Sequence, residues 1–207
     1  MTTRTLTRRA ALVAVTGVAS VVLAACGGGD GDHAGHGTPA STSATATAAA
    51  HNAQDVAFAQ GMIPHHQQAL EMARLADGRA SSAQVLGLAT RIEKAQDPEI
   101  RTMTGWLKTW GEQMPMAGMD HSGHAGMSGM MSDDDMAALK KATGTDFDTK
   151  FLSLMVEHHQ GAVEMAEAEK GKGQYGPAKG VADDIVSAQN AEIEEMKQLL
   201  GKSESKS

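Results

Sequence analysis

The sequence predicts an all-α fold, a four-helix bundle built from two copies of one αα-hairpin. Residues 62–73 (MIPHHQQALEMA) and 155–166 (MVEHHQGAVEMA) are two versions of one segment. Apolar residues recur at helical spacing in four stretches, and no stretch shows the alternation of a β-strand. Four amphipathic helices bury their apolar faces by packing on one another, so a bundle is the expected architecture.

The repeat continues beyond these two segments at a constant offset of 93 residues. Residues 55–107 of the first copy align with the second copy without a gap. Gln96 and Gln189 are among the matching positions. Matching pairs in the first part are Asp55 and Asp148, Phe58 and Phe151, Met62 and Met155, His65 and His158, His66 and His159, Gln67 and Gln160, Glu71 and Glu164, and Met72 and Met165. A duplicated core alone would not require the histidines to be kept.

The first hairpin is predicted as helices over about 53–77 and 82–110. Asn52 is a suitable N-cap for the first helix, with Asp55 at its third position. Pro64 removes a backbone donor inside this helix and is expected to kink it, and Pro98 is expected to bend the second helix.

The second hairpin is predicted as helices over about 146–170 and 178–200, with Thr145 as the cap. Gly78 and Gly171 occupy matching positions near helix ends. The domain then covers 52–202, with repeat one at 52–110, a long connection at 111–145 and repeat two at 146–202. Two hairpins joined by one long connection give a ferritin-like topology.

The N-terminus has the pattern of an exported lipoprotein. Three arginines precede an apolar run that ends in Leu23-Ala24-Ala25-Cys26, which predicts a signal peptide over 1–25 and a lipid on Cys26. Thr7-Arg8-Arg9 fits twin-arginine export as well as the general route. The expected location is the outer side of the cell membrane. Cys26 is the single cysteine, so no disulfide can form within the chain.

Residues 26–51 are rich in Gly, Ser, Thr and Ala and are expected to be a flexible tether, with His33 and His36 as a spaced pair. The chain has a net charge of −7 and no basic stripe, which argues against nucleic acid as a partner. Removal of the signal peptide would also remove three arginines, and the acidic mature chain would attract cations.

The duplicated histidines are candidate metal ligands. Met62, His65 and His66 lie on neighbouring positions of one helical face, and the second copy repeats this arrangement. The predicted ligands are Met62, His65, His66, Met155, His158 and His159. Imidazole with thioether suits copper, with silver or another transition metal as alternatives. Four other methionines lie at core spacing, and core filling rather than ligation is expected for them: Met72, Met103, Met165 and Met196.

Four polar residues near the histidines, Gln67, Glu71, Gln160 and Glu164, are expected either to orient the imidazoles or to remain in solvent. The connection supplies a second set of candidate ligands: Met114, Met116, Met119, His121, His124, Met127, Met130 and Met131. Because this stretch is rich in glycine and polar residues, it is expected to gather metal ions rather than to join the core.

These motifs resemble the exported bacterial family called domain of unknown function 305. The two histidine segments carry the resemblance, together with Gln96-x-x-Glu99-Ile100 and Gln189-x-x-Glu192-Ile193. It covers about 52–200. The resemblance implies a ferritin-like bundle and, for some members, copper binding and copper resistance, with the six Met and His ligands above carried over.

The leading function from the sequence is non-enzymatic copper sequestration, buffering or transfer to a copper-handling protein partner. One alternative is a di-metal oxidoreductase, although the Glu-x-x-His motif of such bundles does not occur in the chain. Another is an envelope interaction module whose histidines pack between the halves. The oligomeric state, and whether the two copies share one site, are left open.

Overall fold

The computed structural model describes residues 50–115 and 128–204, in which five helices and no β-strand occur. The helices are α1 (Ala53–Arg74), α2 (Ala83–Trp110), α3 (Asp133–Lys141), α4 (Gly144–Lys172) and α5 (Gly176–Glu204). The all-α bundle is as predicted, and α1, α2, α4 and α5 correspond to the four predicted helices. None of the helices in the described ranges is long and apolar enough to span a membrane.

Helix α1 begins as predicted. The Asn52 side chain accepts hydrogen bonds from the backbone of Gln54 and Asp55, and the Asp55 carboxylate accepts one from the Asn52 N–H, which completes a capping box. The helix continues through Pro64 and ends at Arg74, three residues before the predicted end. Gly78 follows in the turn with φ +71°, a conformation that favours glycine.

Helix α4 begins earlier than predicted. Its N-cap is Thr143, whose side chain makes no capping hydrogen bond, so the prediction that Thr145 caps this helix was wrong. Gly144 has φ +64° and donates its N–H to the Arg79 carbonyl at 2.7 Å. The start of α4 is therefore set by this contact with the turn after α1 rather than by a side-chain cap.

Helix α3 was missed in the sequence, where the whole of 111–145 was predicted to be a connection. Ser132 and Asp135 form a capping box at its start, and three aspartates fill its first turn. Met136 and Leu139 are buried against the bundle. Nine residues are too few for helix propensity alone, so this packing stabilises α3.

The core consists of two apolar clusters with a polar layer between them. The Phe151 cluster contains, among others, Met72, Leu88, Ile92, Phe147, Phe151, Met155 and Met196. The Phe58 cluster contains, among others, Phe58, Met62, Met103, Leu107, Ala162 and Ile185. Along each long helix, two polar residues lie between the two clusters and contribute to a shared layer: His65, His66, Gln96, Glu99, His158, His159, Gln189 and Glu192. We call these eight residues the histidine layer.

Two matching aspartates join the repeats to each other. Asp55 of α1 accepts hydrogen bonds from the backbone of Gln174 and Tyr175, just before α5. Asp148 of α4 accepts them from the backbone of Ser81 and Ser82, just before α2. The aspartate of each repeat therefore binds the turn of the other repeat. These two contacts hold α1 against α4 at the histidine layer.

Candidate metal centre

His65 and His158 meet at the centre of the histidine layer. Their ring centroids are 3.8 Å apart and their planes are inclined by 41°. Both side chains are fully buried. The two copies of the repeat therefore face each other, which the sequence had left open, and they do so through the first histidine of each adjacent pair.

The second histidine of each pair contacts a carboxylate. His66 Nε2 lies 2.7 Å from Glu99 Oε2, and His159 Nε2 lies 2.7 Å from Glu192 Oε2. Both imidazoles are fully buried, whereas each glutamate is partly exposed. A carboxylate on one ring nitrogen fixes the orientation of the ring and leaves Nδ1 for another partner.

The environment keeps the central pair of histidines neutral. Burial is the largest cause, and the neighbouring imidazoles His66 and His159 add to it, so the pKa of His65 falls to about 3. Burial, and then the neighbouring imidazoles of His65, His159 and His66, also hold the pKa of His158 well below its usual 6.5. Because metal ions bind the unprotonated imidazole, both rings are ready to bind at neutral pH.

The nitrogens of this layer are largely without hydrogen bonds. Among the described residues, no hydrogen-bond partner is found for six buried ring nitrogens: both of His65, both of His158, and Nδ1 of His66 and of His159. The side-chain oxygens of Gln96 and Gln189 also lack partners. Since a buried unsatisfied polar group costs about 1–3 kcal/mol, the histidine layer differs from an ordinary core, in which buried polar groups are paired.

The two predicted methionine ligands each precede a central histidine by three residues and pack in the apolar clusters that border the histidine layer. Met62 belongs to the Phe58 cluster and Met155 to the Phe151 cluster, each fully buried in apolar surroundings. Within residues 50–115 and 128–204, no group of three or more His, Cys, Asp or Glu side chains has an arrangement that could hold a metal ion. The central feature is therefore a pair of imidazoles.

Of the two roles left open for the four polar residues beside the histidines, the structure favours contact with solvent or with other helices. Gln67, Gln160 and Glu164 are exposed, and Glu71 forms an ion pair at 2.8 Å with Lys140 of α3. Glu99 and Glu192 contact the imidazoles instead. The sequence contained a signal for them, because Gln-x-x-Glu recurs at the same offset in both repeats.

The predicted ligands in the connection are only partly described. Met114 is exposed, Met130 is half-buried, and Met131 is buried in the Phe151 cluster. The burial of Met131 corrects the expectation that this stretch stays out of the core. Met116, Met119, His121, His124 and Met127 lie outside the described residues, as do the predicted signal peptide, Cys26, His33 and His36.

Fold and site together define a class of protein: a helical bundle made of two repeats, with a layer of buried histidines where the repeats meet. The chain belongs to the family described as domain of unknown function (DUF305), whose model matches residues 55–200. Among curated proteins, none matches this sequence.

Solved structures of this family are similar to the chain. A DUF305 protein from Streptomyces coelicolor is 33% identical, with a TM-score of 0.66, covering 72% of this chain and 93% of that one. A DUF305 fragment from Deinococcus radiodurans is 34% identical, with a TM-score of 0.66, covering 73% and 97%. CopM in its Cu(II)-bound form is 35% identical, with a TM-score of 0.63, covering 72% and 96%.

Proposed function

We propose that this protein binds copper outside the cytoplasm, in the histidine layer of the bundle, and buffers it or passes it to another protein. The observation that carries the proposal is the pair His65 and His158, which is buried and neutral where the two repeats meet. Copper here is the cargo of the protein rather than a catalytic cofactor.

The chemistry of the pair favours Cu(I) and Ag(I). These closed-shell ions accept as few as two ligands, whereas structural zinc requires about four. Metal–imidazole bonds are about 2 Å long, so two rings that share one ion have their centroids roughly 5–6 Å apart. His65 and His158, whose centroids are 3.8 Å apart, would therefore swing away from each other to bind an ion between them. His66 and His159 supply further Nδ1 atoms on either side.

The structural relatives support the same class of ligand. Besides the Cu(II)-bound form, CopM has been solved in a Cu(I)-bound form, which is 32% identical to this chain with a TM-score of 0.60. It has also been solved in a silver-bound form. We propose that this chain likewise binds copper, with residues of the histidine layer as its ligands.

The N-terminal pattern supports the proposal that copper is bound at the outer face of the membrane. A lipid on Cys26 would hold the protein at the outer face of the membrane, where Cu(I) and Cu(II) both occur and free thiolates are scarce. The Met/His residues of the connection would collect ions from solution, because thioether and imidazole are ligands for copper. Recovery of the protein with the membrane fraction, lost in a Cys26→Ala variant, is the expected sign of the anchor.

The test is an anaerobic competition titration of the full chain with Cu(I), Ag(I) and Zn(II). Replacing His65 and His158 together by alanine should remove one tightly bound equivalent of Cu(I) or Ag(I). A matched double variant, His121→Ala with His124→Ala, should keep that equivalent and lose only ions bound by the connection.

Unchanged stoichiometry and affinity in the His65 and His158 variant would contradict the proposal. Preference for Zn(II) over Cu(I) would contradict the choice of metal. Iron-dependent oxygen consumption by the purified protein would favour the alternative of a di-metal oxidoreductase.

A further inference from the structure

A short piece of the connection, residues 128–131, is bound to the bundle; we call it the strap. Its end is held by Gln68 of α1. The Gln68 side-chain amide donates to the Met131 carbonyl at 3.0 Å, and the Met131 N–H donates to Gln68 Oε1 at 2.8 Å. Both hydrogen bonds are buried, so the amide side chain acts as a two-point clamp on the strap backbone.

The other side of the strap rests on α4 at Gly161. A Cβ atom at Gly161 would overlap the Ser128 carbonyl oxygen and would lie 2.7 Å from the Gly129 Cα. Gly129 has φ +79°, and a Cβ there would lie 2.8 Å from the Glu157 carbonyl oxygen. Backbone therefore packs directly on backbone, which only glycine at both positions permits.

Gln68, which clamps the strap, and Gly161, on which the strap rests, flank the central histidines. Gln68 is three residues after His65 on α1, and Gly161 is three residues after His158 on α4, so each is about one turn from its histidine. The Ser128 carbonyl is close enough to the His65 imidazole to oppose part of the fall in its pKa. The strap thus lies over the place where the two rings meet.

The repeat departs from its symmetry at these two positions. Gln68 and Gly161 match at the offset of 93, yet one has a long amide and the other has no side chain. Two glutamines would leave no room for the strap, and two glycines would leave it without a clamp. A single strap that crosses a surface built from two repeats therefore needs a different residue at each of these two matching positions.

We propose that the strap is a cover that must lift for Cu(I) or Ag(I) to enter or leave the His65 and His158 pair, with Gln68 and Gly161 as its positioning residues. The inference rests on the proposed function, since it assigns the control of exchange at the same site. The strap slows the exchange of metal at the His65 and His158 pair. The affinity of the pair for metal is set by the imidazoles beneath the strap.

The experiment measures the rate at which a colorimetric chelator removes Cu(I) from the loaded full-length protein. Loss of two buried hydrogen bonds in Gln68→Ala should accelerate removal by about tenfold or more. Gly161→Ala should do the same by displacing the Ser128 carbonyl. Hydrogen exchange at the Met131 amide should become faster in both variants, which shows that the strap has been released.

Two neighbouring variants are matched controls. Gln67→Ala changes an exposed glutamine beside the clamp, and Gly171→Ala adds a methyl group to α4 where no atom lies within 4 Å. Both should exchange copper like the original protein. All four variants should bind the same number of ions, because none alters an imidazole.

Removal of Cu(I) at a rate within twofold of that of the original protein, in variants whose Met131 amide exchanges freely, would leave the proposed function intact. That result would contradict the proposal that the strap is a cover. Slower loading in those variants would also overturn it. If Gly161→Ala does not fold, Gly129→Ala on the strap itself takes its place. Absence of Cu(I) binding in the unaltered protein would refute the proposed function, and the cover with it.

Discussion

Each histidine of an adjacent pair has a different environment. His66 and His159 face a carboxylate at 2.7 Å, whereas His65 and His158 face each other. The first kind of ring is held in orientation by charge, and the second is kept neutral by burial. The layer therefore combines oriented imidazoles on the outside with a neutral pair inside, an arrangement that suits the proposed binding of Cu(I) or Ag(I).

Removal of the two orienting carboxylates should weaken metal binding. Glu99→Gln with Glu192→Gln keeps the size of each side chain but removes its charge, so we expect the Cu(I) affinity to fall by about 10–100-fold in a competition titration. The control is Glu71→Gln with Glu164→Gln, which removes the same charge from outside the layer. Equal losses in the two double variants would show that overall charge, rather than orientation, is responsible.

The histidines of the layer could be predicted from the sequence better than their partners could. A repeated His-His with matching flanks singled out His65, His66, His158 and His159. Helical spacing places both members of an adjacent pair near the same face, so it cannot decide which one meets the other repeat. Glu99 and Glu192 are 33 residues away in sequence and come near only because α2 and α5 fold back on their neighbours.

At the scale of elements, carboxylates fix where helices begin. Burial alone would raise the pKa of Asp55, but hydrogen bonds from the backbone of Asn52, Tyr175 and Gln174 lower it overall. Glu169 of α4 lies beside Asp55 and is fully buried. Its matching position in the first repeat is Ala76, so this second acid occurs at one end of the bundle only.

Glu169 should make the bundle less stable at alkaline pH. Burial and then the neighbouring Asp55 raise the pKa of Glu169 from 4.5 to about 8. Between these two values the carboxyl is ionised in the unfolded chain and protonated in the folded one, so the free energy of unfolding falls as the pH rises through this window. Glu169→Gln should remove this loss, raising the free energy of unfolding at pH 8 by about 1–2 kcal/mol after solvent screening.

Urea denaturation of the metal-free protein at pH 4.5 and pH 8 checks this prediction. The stabilising effect of Glu169→Gln should be present at pH 8 and small at pH 4.5. Glu167→Gln, at an exposed position on the same helix, should change stability by the same small amount at both pH values. A pH-independent effect of Glu169→Gln would contradict the raised pKa.

The four long helices were predictable because each shows a long apolar period, and α1 also has a recognisable cap in Asn52. Helix α3 was not, because it has only nine residues inside a stretch dominated by Gly, Met and Ser. Its signal was the local pattern Ser132-Asp-Asp-Asp135 followed by Met136 and Leu139. The start of α4 was misplaced for a related reason: it depends on a contact with Arg79, which lies in the other repeat.

At the scale of the whole molecule, duplication explains why the site lies at the centre. Each repeat supplies one half of the layer and one aspartate that holds the turn of the other repeat. Apolar clusters on both sides then seal the layer from solvent. A single hairpin would leave its histidines exposed and fully hydrated, so the buried histidine layer exists only in the assembled pair.

The most direct test of the central claim is the anomalous scattering of silver in crystals of the full chain grown with Ag(I). We expect a silver ion bound between the His65 and His158 imidazoles, with the carboxylates of Glu99 and Glu192 still on the flanking rings. Silver bound only by methionines and histidines of the connection, with the central pair free of metal, would contradict the account.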